Sequence, residues 1–139
     1  MSAKPFLDTN ILVYAYDRHE PAKQQVAQGI LRGALADDSA VLSAQVLTEF
    51  YVTVTRKIPE PLASAEAREI IELVGILPTI AVDRALVRRA IEVHDRYQVS
   101  LWDSLIISAA ERGHCTEILS EDLGDGQEYA GIVVRNPFA

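Results

Sequence analysis

Four acidic residues stand where the chain is otherwise apolar or about to turn: Asp8, Glu49, Asp103 and Asp122. They close or interrupt the runs Pro5-Phe6-Leu7-Asp8, Val46-Leu47-Thr48-Glu49, Leu101-Trp102-Asp103 and Ile118-Leu119-Ser120-Glu121-Asp122. A carboxylate held near a core is expensive, because its charged form loses water. One such acid could pair with an arginine. Four of them, spread over the whole chain at the starts and ends of regular elements, point to one shared solution. That solution is a pocket of carboxylates neutralised by a divalent cation. Oxygen donors without His or Cys suit Mg²⁺ or Mn²⁺.

Each acid also has a plainer reading. Asp8 can cap the helical turn that follows it. Glu49 borders the apolar face of its helix, where glutamates are mostly solvated. Asp122 precedes Leu123-Gly124-Asp125-Gly126, a turn-rich stretch. Asp103 forms a capping-box pattern with Ser100, yet its helix is apolar nearly all round. An acid on the first turn of such a helix points into the domain or into a cleft, and a helix amino end favours its charge. Rival chemistries are thin. His19, His94 and His114 have no ligand spacing, no Gly-rich phosphate loop follows a strand, and no nucleophile elbow occurs. Cys115 reads as a small buried residue. Arg84, Arg88, Arg89 and Arg96 read as a solvated helix face paired with Glu92 and nearby acids. Arg56 and Lys57 complement a helix dipole.

The elements needed to position the acids are legible from patterning. Strands are expected at 5–7, 40–43, 78–82, 117–119 and 131–134, between helices starting near Thr9, Pro21, Ser43, Ser64, Asp83 and Ser100. This alternation predicts an α/β domain, with a mostly parallel central sheet of about five strands and helices on both faces. Ligands in such sheets bind outside the carboxyl ends of the strands, which is where Asp8 and Asp122 fall. At 139 residues, 49% hydrophobic and 24% charged, the chain reads as one globular domain over 1–139. No apolar run has the length of a membrane span. The single cysteine fits a reducing, cytoplasmic setting. A net charge of −7 argues against a non-specific nucleic-acid binder, less so against an enzyme whose acids are masked by metal.

Taken together, Leu7-Asp8-Thr9-Asn10, Val46-Leu47-Thr48-Glu49, Trp102-Asp103-Ser104-Leu105-Ile106 and Leu119-Ser120-Glu121-Asp122-Leu123 resemble the PIN-domain ribonucleases. More narrowly, they resemble the VapC-like toxins of bacterial toxin–antitoxin pairs. The resemblance implies a single PIN-like domain and a metal-dependent endoribonuclease that leaves a 5′-phosphate and a 3′-hydroxyl. It implies that Asp8, Asp103 and Asp122 hold Mg²⁺ or Mn²⁺, while Glu49 orients or deprotonates the attacking water or binds a second ion. Thr9, Asn10 and Ser120 match the polar residues that support these acids. Whether Glu121 or Asp125 joins them is open. The resemblance further implies an RNA substrate, a cognate antitoxin and a homodimer whose rim, here Arg56, Lys57, Arg84 and Arg88, meets the phosphates. The apolar residues Phe50, Tyr51 and Val52 fit an antitoxin contact, a dimer contact or core.

Two rivals stand beside it. A haloacid-dehalogenase-like phosphohydrolase wants an acid two residues after the first, where this chain has Asn10. A catalytically silent RNA- or protein-binding module would have no need of all four acids. The Asp103→Asn variant is therefore expected to abolish cleavage while leaving the circular dichroism spectrum unchanged. Full nuclease activity in the folded variant would remove the assignment.

Overall fold

The computed structural model describes residues 3–139. Strand β1 (Phe6–Leu7) leads into helix α1 (Thr9–Ala15), and α2 (Pro21–Asp37) follows. Next come β2 (Leu42–Ser43), α3 (Ala44–Arg56), α4 (Ser64–Val74), β3 (Thr79–Ile80) and α5 (Arg84–Tyr97). Helix α6 (Leu101–Arg112) is followed by β4 (Glu117–Leu119), β5 (Glu128–Tyr129) and β6 (Ile132–Arg135).

Local chemistry sets the helix starts. Pro21 opens α2, where its missing N–H costs nothing. The side chains of Ser43, Asp83 and Ser100 accept from the backbone N–H groups of Val46, Leu86 and Asp103 at 3.2, 2.9 and 3.0 Å. The helix ends hold a surprise. Gly75 and Gly113 follow α4 and α6 at φ −67° and −79°, so neither uses the left-handed freedom usually sought at a helix end. A β-carbon on Gly75 would lie 2.8 Å from the Ile71 carbonyl oxygen, so close backbone approach is what glycine permits here. The left-handed positions fall instead on Asp38, Gln98 and His114.

Strands β1, β4, β6 and β5 form one sheet in that order, parallel except for the antiparallel β5–β6 pair. Strands β2 and β3 make a separate parallel pair. One parallel bridge, Phe6 to Val41, sets that pair beside β1, with Leu7 N–H donating to the Val41 carbonyl at 3.0 Å. The expected mostly parallel sheet of about five strands is present as a sheet of four with this pair attached. The strand missing from the expected set is β5. It joins β6 through a two-residue turn, Ala130-Gly131, with φ of +53° and +81°. Both positive values mark a hairpin turn normally announced by Asn-Gly or Asp-Gly. The Tyr97 hydroxyl accepts from the Ala130 N–H at 2.8 Å and anchors the turn.

The core is one continuous apolar cluster that includes Phe6, Leu7, Ile11, Leu42, Val46, Phe50, Ile107 and Ile118. Phe50 is fully buried against the edge of Tyr16, whereas its neighbours Tyr51 and Val52 are partly exposed. Helix α6 is buried from Ser104 to Ala110, but its first turn is not, since Leu101 and Trp102 face outward. Among the described residues, no helix is long and apolar enough to cross a membrane. Truncating Phe50 to alanine leaves a cavity between α3 and α1, and is expected to cost about 3–5 kcal/mol in urea unfolding. A loss below about 1 kcal/mol would mean that the site collapses around the missing ring.

Candidate active site

Parallel pairing brings the two ends of the chain together. The register aligns Leu7 with Leu119, so β1 and β4 finish side by side. Asp8 is the residue after β1, and its N–H donates to the Leu119 carbonyl at 3.0 Å. Ser120 follows β4 and donates its N–H to the Arg135 carbonyl at 3.0 Å. Asp8 and Asp122 therefore leave the sheet at the same edge, as the strand-end rule requires. Glu49 reaches that edge from α3, which springs directly from β2. Asp103 arrives on the first turn of α6.

Hydrogen bonds knit these acids into a network. Asp8 accepts from the Thr9 N–H at 2.8 Å with one oxygen and from the Ser120 hydroxyl at 2.7 Å with the other. Capping the helix and serving the site are one and the same placement. The Ser120 oxygen also accepts from the backbone N–H groups of Asp122 and Leu123, at 3.1 and 3.3 Å. The Asn10 amide donates to Asp122 at 3.2 Å, and its oxygen accepts from the Glu121 N–H at 3.1 Å. Thr9 donates its hydroxyl to one Glu49 oxygen at 2.7 Å, and Gln45 donates to the other at 3.0 Å. The same Gln45 nitrogen donates to the Trp102 carbonyl at 3.2 Å, which ties the start of α6 to α3. The Asp103 N–H is capped by Ser100, while its carboxylate makes no reciprocal bond to the Ser100 backbone. The capping-box pattern is therefore only half formed, and the acid faces its fellow carboxylates.

Burial is the chief electrostatic fact. Asp8 is only 6% exposed. Its pKa is raised from 3.8 to about 6, chiefly by burial; the Ser120 and Thr9 hydrogen bonds oppose the rise, and the charges of Asp122 and Glu49 add to it. Half-buried Asp103 is raised in the same way, by burial first, with Ser100 opposing and Asp122 and Glu49 adding. Asp8 and Asp103 therefore both sense the charges of Glu49 and Asp122. No three His, Cys, Asp or Glu side chains among the described residues stand close enough to enclose an ion by themselves. Mg²⁺ is commonly held by one or two carboxylates with water completing its shell. The oxygen-only donor set and the desolvated Asp8 suit such a cation.

Other expected residues separate. Lys57 shares a groove with Thr48, Glu49, Val52 and Thr53. Arg56, Arg84 and Arg88 are exposed and touch none of the network's hydrogen bonds. Arg89 pairs with Glu111 and Glu92 at 2.7 and 2.9 Å, and Arg96 lies over the Tyr97 ring. Asp125 is occupied in accepting from the Asn136 N–H at 3.0 Å. Glu121 lines a groove with Thr9, Asn10, Tyr14, Asp17 and Asp122, where the Lys23 ammonium meets it at 2.5 Å. Burial would raise the Glu121 carboxyl, but the bonds from Lys23 and Tyr14 and the Lys23 charge together outweigh it and hold the group below its usual range. Lys23 went unnoticed in the sequence, because nothing in its helical surroundings marks a partner 98 positions away.

The fold is an α/β domain with Asp8 and Asp122 just past parallel strand ends, and Glu49 and Asp103 reach the same edge from helices. The chain belongs to the PIN-domain family, whose model matches residues 6–124. No curated protein matches it by sequence. Among solved structures it is similar to a chain of a toxin–antitoxin complex from Klebsiella pneumoniae, at 17% identity and TM-score 0.71, covering 96% of this chain and 98% of that one. It is also similar to a chain of VapBC2 from Rickettsia felis bound to a promoter DNA fragment, at 16% identity and TM-score 0.65, covering 94% and 96%. VapC20 of Mycobacterium tuberculosis, described as a sarcin–ricin loop cleaving toxin, is similar at 17% identity and TM-score 0.61, covering 86% and 92%. At such identities the likeness concerns the fold.

A raised carboxyl pKa means that the fold prefers the protonated form. Stability is then fully present below the ordinary value of 3.8 and is lost as pH rises through about 6. The shift of about 2 units corresponds to at most about 3 kcal/mol. With chelator present, Asp8→Asn should flatten this decline, and the variant should melt at or above the wild-type temperature at pH 7. Identical pH profiles for the two proteins would show that Asp8 carries no such cost.

Proposed function

We propose that this protein is a metal-dependent endoribonuclease and the toxin of a toxin–antitoxin pair. The observation that carries this reading is the desolvated Asp8 carboxyl. It is embedded in a hydrogen-bonded set with Ser120, Asn10 and Asp122, and senses the charge of Glu49, at the strand-end edge of a PIN fold. Such a concentration of acid makes little sense without a cation, and a cation there meets a phosphodiester well. The toxin–antitoxin complexes among the similar structures support an antitoxin as partner.

Asp8, Asp103 and Asp122 are the residues that would hold Mg²⁺ or Mn²⁺. A bound ion of this kind supplies Lewis acidity at the scissile phosphate and stabilises the departing oxygen. The chain's own groups do the rest. Thr9 and Gln45 each donate to one oxygen of Glu49, fixing that carboxylate so that a remaining lone pair can orient a water or accept its proton. Asn10 steers Asp122, and Ser120 steers Asp8. Lys23 neutralises Glu121 and so trims the negative field that RNA must cross. Arg56, Lys57, Arg84 and Arg88 are exposed and supply positive charge for the phosphates. In a homodimer they would rim a groove between two sites. The exposed carboxylates of a chain with net charge −7 make such local positive patches necessary.

Purified protein freed of any antitoxin is expected to cut total RNA into discrete fragments with Mg²⁺ or Mn²⁺. Cleavage should cease with chelator and in Asp8→Asn. A folded, metal-loaded protein that leaves every RNA intact would overturn the nuclease reading. The Ser120→Ala variant should retain its fold, with stability reduced by about 1–3 kcal/mol for the unpaired Asp8 oxygen, and lose most of its cleavage rate.

A further inference from the structure

The indole of Trp102 is the largest exposed apolar side chain beside the acids, at 66% exposure. It precedes Asp103, and among the described residues its ring makes no aromatic contact and no hydrogen bond. It forms one wall of an almost wholly apolar slot with Ala44, Val82 and Leu105, which Gln45 and Glu49 close on the acid side. The slot holds about 290 Å³, much like the neighbouring grooves, so its apolar lining rather than its size sets it apart. No cationic side chain lines it, so it is not built for a phosphate. Cationic lining appears on the other flank of the same two residues, Thr48 and Glu49, where Lys57 closes the neighbouring groove. The Trp102 backbone is not free to wander, because its carbonyl accepts from Gln45, which also holds Glu49. The backbone that carries this solvent-facing aromatic is thus tied to the helix that carries Glu49.

We propose that Trp102 is a positioning and specificity residue that stacks an unpaired base of the RNA next to the scissile phosphate. This rests on the ribonuclease reading above and assigns one contact to it, between the Trp102 indole and a base that is neither paired nor stacked in a duplex. Every base offers a π-face, and aromatic stacking discriminates strand state more than sequence. A base in an intact duplex is already stacked and paired, and cannot enter a one-sided slot. With the base on Trp102 and Ala44, Val82 and Leu105 behind it, the backbone passes over Glu49 toward Lys57. That course lays a phosphate against the acids. The role is one of placement: Trp102 brings the bond to the carboxylates and takes no part in the proton transfers.

Trp102 is the chain's only tryptophan, so it reports on itself. In Asp8→Asn protein with chelator, a short single-stranded RNA of mixed sequence is expected to quench the intrinsic fluorescence. The same strand annealed to its complement is expected to leave it unchanged. With fluorescein-labelled single-stranded RNA, Trp102→Ala should bind about tenfold to a hundredfold more weakly, and Trp102→Phe should recover most of that loss. For cleavage, Trp102→Ala should raise KM with little change in kcat. Equal quenching by single strand and duplex, or unchanged affinity and KM in Trp102→Ala, would overturn the proposal. So would a blue-shifted emission indifferent to RNA, which would mean that a second copy of the chain covers the indole. Failure of the wild-type protein to cleave any RNA would instead strike the ribonuclease reading, while strand-selective quenching would still stand or fall alone.

Discussion

The desolvation of Asp8 is the constraint around which this domain is arranged. A carboxylate that is 6% exposed needs donors or a counter-charge. The fold provides the donors from two directions, the Thr9 amide at the start of α1 and the Ser120 hydroxyl at the end of β4. Supplying Ser120 requires β4 to lie in parallel register against β1, and keeping it there requires β6 on the far side. The donors reduce the burial penalty without removing it, since the pKa remains at about 6. The remainder is an affinity for positive charge written into the unliganded protein.

The other acids inherit their places from this arrangement. Asn10 comes with α1 and meets Asp122, while Thr9 meets Glu49, so two successive residues after Asp8 hold two further carboxylates. Glu49 in turn shares Gln45 with the start of α6, where Asp103 lies. The cluster is a chain of dependencies that begins at one buried group. Its outer members, Glu49 and Asp122, are oriented by neutral donors rather than by salt bridges. Their charge therefore remains uncancelled within the network, unlike that of Glu121, which Lys23 meets directly.

Much of this was legible in the sequence, for identifiable reasons. The helices announced themselves through Pro21, Ser43, Asp83 and Ser100, because capping is a local bargain between neighbours. The four acids stood out because charge beside apolar runs is costly wherever the chain goes. What escaped notice was decided at long range or by backbone geometry. Strand β5 was hidden because its turn places alanine where Asn or Asp would signal a hairpin. The attachment of β2 and β3 through one bridge between Phe6 and Val41 was likewise illegible, because two-residue strands leave no periodicity to read. The Lys23–Glu121 pair and the Gln45 bridge to Trp102 join helices distant in sequence, and no pattern within either helix foretells them.

The bond from Ser120 to Asp8 joins positions 112 apart. During synthesis Asp8 leaves the ribosome 112 residues ahead of its stabilising hydroxyl, and further still ahead of the fourth acid. Nascent chains lacking β4 and β6 thus carry Asp8, Glu49 and even Asp103 without the frame that assembles them. Long-range strand pairing of this kind is slow to close. The four carboxylates accordingly come together only once β4 has paired with β1 and β6, however early the first three are made.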